Sequence, residues 1–134
     1  MTIHDRWDIP VILPISEIQQ ETEDVVTYHF HLSEKKTLQI HPGQFFMLWL
    51  PGEDEIPISV SGYQEDRLSF TIRAVGSTSK KMLKLREGEL IGLRGPLGKG
   101  FPTRQDTHSL LIAGGIGMAP LRYLAQFLLQ KSYS

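Results

Sequence analysis

The sequence predicts a mainly β domain of six antiparallel strands with one short inserted helix, followed by one further strand and helix of α/β type. Three observations support this prediction. Between residues 11 and 93, alternating or continuous apolar segments are separated by turn residues. After Gly76 the apolar pattern becomes helical for a short stretch. Near residue 115, a glycine loop separates a short apolar run from a second helical pattern.

Two strands around a polar turn at residues 19–24 are predicted within residues 11–32, because Val26 to Leu32 alternate apolar and polar side chains. A polar connection at residues 33–37 then leads to a continuous apolar run at residues 45–50. Proline and glycine turns flank this run. We expect it to form a buried strand.

A hairpin is predicted next, with strands at residues 56–63 and 68–73 joined across residues 64–67. A short helix follows Gly76 and is expected to stop at Gly88, and residues 90–93 supply the sixth strand. Six antiparallel strands favour a closed or nearly closed barrel, because closure removes exposed strand edges.

A polar stretch at residues 103–108 is interpreted as a boundary, which gives a barrel domain over residues 1–102 and a second unit over residues 103–134. In the second unit, residues 110–113 are predicted to form a buried strand. The helix after the glycine loop has an apolar face at Leu121, Leu124 and Leu128.

Composition limits the possible partners. Fourteen basic and fifteen acidic residues give the 134-residue chain a net charge of −1, so we expect neither nucleic acid nor an anionic membrane surface as a partner. No apolar run approaches the roughly 18 residues of a membrane span, and residues 1–5 lack the pattern of a signal peptide. We therefore expect a cytoplasmic protein. With no cysteine, the chain is not expected to hold an iron–sulfur cluster.

Two glycine-containing segments could bind phosphate groups. Gly76, Thr78 and Ser79 open the predicted short helix, where backbone N–H groups and hydroxyls suit a phosphate, although plain helix capping explains the same pattern. Gly114, Gly115 and Gly117 separate the predicted last strand from its helix, as a dinucleotide pyrophosphate requires, although a structural tight turn remains an alternative.

A third candidate is a strand face. Residues 56–61, with Thr71, Ile72 and Arg73 on the neighbouring strand, could support a flat ring, and Arg73 could pair with an anionic cofactor. An ordinary exposed strand face is the alternative. His29 and His31 share one face of an earlier strand, but without a third ligand they are interpreted as solvated rather than metal-binding.

Taken in order, these segments resemble the flavin-binding barrel of the ferredoxin reductase superfamily, followed by the first strand and helix of its nicotinamide domain. Within it, the chain most resembles the electron-transfer subunits of dihydroorotate dehydrogenases. The resemblance covers roughly residues 11–130. It rests on Pro42-Gly43-Gln44-Phe45, Asp54-Glu55-Ile56-Pro57-Ile58-Ser59, Arg73-Ala74-Val75-Gly76, Gly95-Pro96-Leu97-Gly98 and Ala113-Gly114-Gly115-Ile116-Gly117.

The resemblance implies a Greek-key barrel that binds FAD, with Ile56 in place of a family arginine. The FAD contacts it implies, together with the glycine-loop candidates, are Pro57, Ile58, Ser59, Val60, Thr71, Ile72, Arg73, Gly76, Thr78, Ser79, Gly114, Gly115 and Gly117.

In the complete family protein, NAD(P)H reduces the flavin, which passes electrons to an iron–sulfur cluster and a catalytic dehydrogenase subunit. The chain resembles only the flavin half, with an incomplete nicotinamide unit, so activity of this chain alone is not expected. Residues 109–134 are predicted to self-associate or to bind a partner subunit. The alternatives are another reductase subunit, sulfide dehydrogenase-like or hydrogenase-linked, and a flavin-free barrel that serves as an interaction module.

Overall fold

The computed structural model describes residues 7–33 and 38–131. The predictions made for residues 1–5 and for residues 34–37 of the polar connection lie outside these described residues. The strands are β1 (Trp7–Pro14), β2 (Glu17–Gln20), β3 (Val25–His31), β4 (Phe45–Trp49), β5 (Ile56–Gln64), β6 (Arg67–Arg73) and β7 (Leu90–Leu97). The helices are α1 (Ser77–Met82) and α2 (Met118–Gln130), the second preceded by a 3₁₀ turn (Gly115–Gly117).

The seven strands form one curled antiparallel sheet in the order β1-β7-β4-β5-β6-β3-β2. Strands β3 to β6 make a Greek key, because β4, β5 and β6 are consecutive neighbours and β3 lies beside β6. The mainly β, Greek-key prediction is therefore confirmed, as is the hairpin of β5 and β6.

The strand count differs from the prediction, because the region over residues 11–32 contributes to three strands rather than two. The chain bends at Ile15 and Ser16. The Ile15 N–H donates to the Glu89 carbonyl and the Ser16 N–H donates to the His29 carbonyl, both at 2.9 Å. Before the bend the chain pairs with β7 as β1, and after the bend it pairs with β3 as β2. The hydropathy pattern shows no break at this position.

The short helix α1 ends at Met82, well before the predicted stop at Gly88. Beyond it, the Lys84 and Leu85 N–H groups each bond the carbonyl three residues earlier, at 3.1 Å, so the chain leaves the helix through tight turns. Strand β7 is longer than predicted and runs to Leu97.

Aromatic side chains form the centre of the core inside the curled sheet. Phe70 on β6 lies edge to face with Phe30 and Phe46, at centroid distances of 6.0 and 5.4 Å. Trp7 lies edge to face with Phe46 at 6.2 Å. Gly95 on β7 has a φ of +154°, and a Cβ atom there would lie 2.9 Å from the Phe46 ring. The Gly95-Pro96 motif therefore serves this packing.

Helix α2, predicted from its apolar face, packs against the outer side of β5. Leu124 and Leu128 are buried and Leu121 is half-buried. The barrel thus covers the face for which we predicted self-association or a partner subunit, and most of that apolar surface is not available for such a contact. None of the helices in the described ranges has the length and hydropathy of a membrane-spanning segment.

The strand predicted at residues 110–113 is absent, since residues 101–114 form neither helix nor strand. Leu110 and Ile112 are 85% and 81% exposed. A strand needs a neighbour for its backbone hydrogen bonds, and within the described residues nothing pairs with this segment.

Candidate functional site

A cavity of about 460 Å³ opens where the end of β6 meets the glycine loop and the start of α2. We call it the large cavity. Its volume falls within the roughly 300–1,000 Å³ of small-molecule sites. It is lined by Glu21, Thr22, Asp24, Val25, Thr71, Arg73, Gly115, Ile116, Met118, Ala119 and Arg122.

The large cavity contains two basic and two acidic side chains. Arg73 Nε donates to Asp24 Oδ2 at 3.2 Å, and both side chains are about half exposed. The Thr22 hydroxyl donates to Asp24 Oδ1 at 2.9 Å. These hydrogen bonds, from Thr22 first and then Arg73, lower the pKa of Asp24, so its carboxylate is ionised at neutral pH. An anionic ligand would therefore compete with Asp24 for Arg73.

Along β6 the predicted contacts alternate between the cavity and the core. Thr71 and Arg73 line the cavity, and the Thr71 and Thr27 hydroxyls are hydrogen-bonded at 2.9 Å. Ile72 is fully buried in the core. The Ile72 side chain therefore faces away from the cavity, because consecutive strand residues face opposite sides of a sheet, and a cofactor contact at Ile72 stays a prediction for its main chain only.

The same alternation divides the predicted contacts on β5. Pro57 is exposed and Ser59 is half-buried, whereas Ile58 packs against the core and Val60 is fully buried in it. The Val60 side chain therefore cannot contact a ligand on the outer face. None of these four residues lines the large cavity. A ligand that contacted β5 and also entered the large cavity would therefore have to lie across the ends of β5 and β6.

At the start of α1, the Ser79 hydroxyl caps its own helix. It accepts the N–H groups of Val75 and Gly76, both at 2.9 Å, and donates to the Gly76 carbonyl at 3.1 Å. Ser79 and Thr78 are both buried. Ser79 thus follows the capping alternative, and its hydroxyl is already satisfied. Gly76 itself is exposed, with open space where a Cβ would be.

The three loop glycines are exposed, and no atom lies within 4 Å of a Cβ position at any of them. Gly115 has a φ of +55° and lines the large cavity, whereas Gly114 and Gly117 do not line it. The structure thus brings Thr71, Arg73 and Gly115 together, and it leaves the remaining candidates outside this cavity.

Asp24, Met118 and Arg122 are among the residues of the large cavity that were not predicted. Asp24 reaches Arg73 because its neighbour Val25 pairs with Arg73 across β3 and β6. Because β3 and β6 are far apart in the sequence, no local sequence pattern predicts this pairing. The spacing of apolar residues on α2 identified its buried face but not the role of Arg122.

The Greek-key sheet and a family match over most of it together define the class of the protein, an FAD-binding domain of oxidoreductases. Residues 12–101, more than half of the chain, match the model of the oxidoreductase FAD-binding domain family. The chain belongs to that family. The resemblance to the ferredoxin reductase superfamily is thereby confirmed.

Similar proteins include the probable electron transfer subunit of dihydroorotate dehydrogenase B from Archaeoglobus fulgidus. It is 38% identical over 116 residues, which cover 87% of this chain and 46% of the relative. The sulfhydrogenase 2 gamma subunit of Pyrococcus furiosus is 45% identical over 84 residues, covering 60% of this chain and 29% of the relative. This chain spans less than half the length of these curated relatives.

Among solved structures, an NADH-dependent reduced ferredoxin-NADP oxidoreductase matches with a TM-score of 0.73 and 26% identity. The match covers 90% of this chain and 45% of that structure. The likeness therefore includes nearly all of the present chain, and the structure continues beyond the matching part.

Proposed function

We propose that this chain is the FAD-binding part of an electron-transfer subunit like those of dihydroorotate dehydrogenases, and that it passes electrons from NAD(P)H through FAD to an iron–sulfur or flavin partner. The large cavity carries this proposal, because it places Arg73 and Thr71 of the barrel opposite Gly115 of the glycine loop. Family membership supplies the identity of the cofactor.

The residues present are compatible with a flavin dinucleotide. The large cavity is large enough for part of one, combines the Arg73 guanidinium with the apolar side chains of Ile116 and Met118, and is open to solvent. The exposed main chain of Gly76 and the outward-facing side chains of Pro57 and Ser59 extend this surface along the barrel. When bound, FAD would accept a hydride and release single electrons.

The chain's own residues would bind and orient the cofactor rather than react. Arg73 would bind an anionic group of FAD, and the Thr71 hydroxyl, held by Thr27, would offer a fixed polar contact. Pro57 is exposed on the outer surface of β5, where a flat ring could lie against it. Ile72 and Val60 would keep the two strands in place from the core side.

The partner and domain assignments extend the same proposal. We propose a catalytic dehydrogenase subunit as partner, because the similar dihydroorotate dehydrogenase proteins are named as electron transfer subunits. We keep residues 1–102 as the flavin domain and residues 103–134 as the start of a nicotinamide unit.

Cytoplasmic location and the absence of an iron–sulfur cluster on this chain stay predictions. The exposed Leu110, Ile112 and Met118 supply the apolar surface for a partner subunit or second copy.

The decisive experiment is the absorbance spectrum of the purified 134-residue chain after incubation with FAD and removal of free ligand. We expect bound flavin bands and release of intact FAD on denaturation, with weaker retention of FMN in a parallel dialysis. A colourless protein, or tighter binding of FMN than of FAD, would contradict the proposal.

A second candidate is a flavin-free barrel that serves as an interaction module. Two features favour it: the resemblance implies that Ile56 replaces a family arginine, and Asp24 already pairs with Arg73. The Ile56→Arg variant separates the two candidates. If the chain is a flavin domain, we expect the unmodified chain to bind FAD and the variant to bind it more tightly. If only the variant binds FAD, the unmodified chain is a flavin-free interaction module. A hydrogenase-linked subunit is a third candidate, supported by the sulfhydrogenase relative.

A further inference from the structure

A second cavity, of about 150 Å³, lies between α2 and the outer face of β3, β5 and β6. We call it the small cavity. Among its lining residues are His29, Ser61, Arg67, Ser69, Arg122 and Gln126. We propose that the small cavity binds an oxyanion of the size of phosphate, with His29, Arg67 and Arg122 as its donors. This proposal goes beyond flavin binding and does not depend on it.

The first argument is the buried imidazole of His29. Only 6% of this residue is exposed, although its position on the strand predicted a solvated side chain. Its Nδ1 lies 2.6 Å from the Ser69 hydroxyl, and its Nε2 has no hydrogen-bond partner among the described residues. When Ser69 donates to Nδ1, the ring hydrogen of the neutral imidazole lies on Nε2 and requires an acceptor. A buried donor without an acceptor is unfavourable, and a ligand oxygen would satisfy it.

The second argument is the charge around the small cavity. Arg67 on β6 and Arg122 on α2 line it from opposite elements. Arg67 is held by Glu17 at 2.6 Å, whereas Arg122 forms no ion pair within the described parts of the chain. Burial first, and then Arg67 and Arg122, lower the pKa of His29, which Glu17 and Glu21 partly oppose. These positive groups disfavour a metal cation and favour an anion with several acceptor oxygens.

The third argument is size. The volume is well above the roughly 10–15 Å³ needed for one water and below the roughly 300 Å³ at which pockets for larger ligands begin. Ser61 and Gln126 add polar groups to the walls. Arg122 lines both cavities. The oxyanion can therefore be a free ion or the phosphate group of a nucleotide that extends from the large cavity.

The test is a titration of the 134-residue chain with inorganic phosphate at constant ionic strength, followed by NMR of the His29 ring nitrogens. We expect a saturable shift of the His29 Nε2 signal that chloride does not produce. The Arg122→Gln variant should weaken this binding by about 10-fold or more, the loss expected for one charged hydrogen bond. The matched control is Arg104→Gln, because Arg104 is an exposed arginine outside both cavities.

Three outcomes would overturn the proposal: an unchanged His29 signal, the same shift with chloride, or equal weakening by Arg104→Gln and Arg122→Gln. A parallel titration with adenosine monophosphate separates the two sources of the anion. Tighter binding of the nucleotide than of inorganic phosphate identifies a nucleotide phosphate as the ligand, and equal or weaker binding identifies the free ion.

Discussion

The Tyr123 hydroxyl on α2 donates a hydrogen bond to the main-chain carbonyl of Ile40, which lies between β3 and β4 of the barrel. Tyr123 is 5% exposed, and burial raises its pKa to about 12. A second tyrosine, Tyr63 on β5, donates to the carbonyl of Leu38 at 3.1 Å. Two phenol groups thus join the segment before β4 to the helix α2 and to the strand β5.

Replacing Tyr123 with phenylalanine should lower the free energy of unfolding by about 0.5–1.5 kcal/mol, because it removes one hydrogen bond and leaves the Ile40 carbonyl without that donor. Urea unfolding measures this change. Tyr63→Phe is the matched control, and its cost should be no larger, because Tyr63 is only part-buried. Equal stability of the Tyr123→Phe variant and the unmodified chain would show that this bond does not hold α2.

Alkaline pH should destabilise the fold. In the unfolded chain tyrosine loses its proton near pH 10, whereas folded Tyr123 retains it to about pH 12, so the folded state binds more protons in this interval. Stability should therefore fall from pH 10 to 12, by at most about 1.4 kcal/mol per pH unit for this residue. Burial also raises the pKa of Tyr28. Unfolding curves of Tyr123→Phe over this range should show a shallower loss than the unmodified chain.

Arg73→Ala should weaken FAD binding by about 10- to 150-fold, which corresponds to the loss of one charged contact. The thermal midpoint should change little, because Arg73 is exposed and its pairing with Asp24 is an exposed ion pair. Flavin fluorescence titration measures the affinity. Arg104→Ala serves as the control and should bind FAD normally. Undiminished affinity of Arg73→Ala would place the flavin elsewhere on the barrel.

Asp24→Asn should strengthen FAD binding. The Asp24 carboxylate occupies Arg73 Nε and puts negative charge into the large cavity, so its removal frees the guanidinium for an anionic ligand. Glu23→Gln is a suitable control, because Glu23 is an exposed acid in the same turn and does not line the cavity. The same titration, carried out at low salt, compares both variants with the unmodified chain. Weaker binding by Asp24→Asn would indicate that Asp24 itself contacts the ligand.

Ser79→Ala should lower stability by about 0.5–2 kcal/mol, the range for loss of a helix-capping hydroxyl, because Ser79 satisfies the N–H groups of Val75 and Gly76. Its effect on FAD affinity should be smaller than that of Arg73→Ala, since the hydroxyl is already engaged. Ser77→Ala changes an exposed serine of the same helix and should leave stability nearly unchanged. Thermal unfolding and flavin titration together compare the two variants.

Elements with a local signal could be predicted from the sequence. The β5–β6 hairpin combines two alternating segments with a short turn, and α2 has apolar residues at helical spacing. The bend at Ile15 and Ser16 could not be predicted, because its hydrogen bonds lead to Glu89 and His29, far away in the chain. The prediction of a strand at residues 110–113 was wrong, although the local apolar run is clear. Such a run does not show whether a partner strand is available for its backbone hydrogen bonds.

The candidate site shows the same division. The sequence pointed to Arg73 and Gly115, but the juxtaposition of Arg73 with Asp24 depends on the β3–β6 register. For Ser79, a capping hydroxyl and a phosphate-binding hydroxyl produce the same sequence pattern. Only the observed bonds to Val75 and Gly76 distinguish them. His29 was expected to be solvated, because nothing near it in the sequence indicates that Arg122 and Gln126 of α2 line the same cavity.

The pairing of β1 with β7 also dictates an order of assembly. Pro14 lies opposite Leu90 and Val11 lies opposite Leu93, so the first strand must wait for the last one. Strand β4 also pairs with β7, so one of its edges stays unpaired until β7 is in place. During synthesis, a nascent chain that ends before residue 90 would leave β4 as an unpaired edge of the sheet and β1 without its partner strand. Such pairing between distant strands slows folding and prolongs exposure of apolar edges to other chains. The nascent chain is thus most vulnerable to aggregation just before β7 emerges.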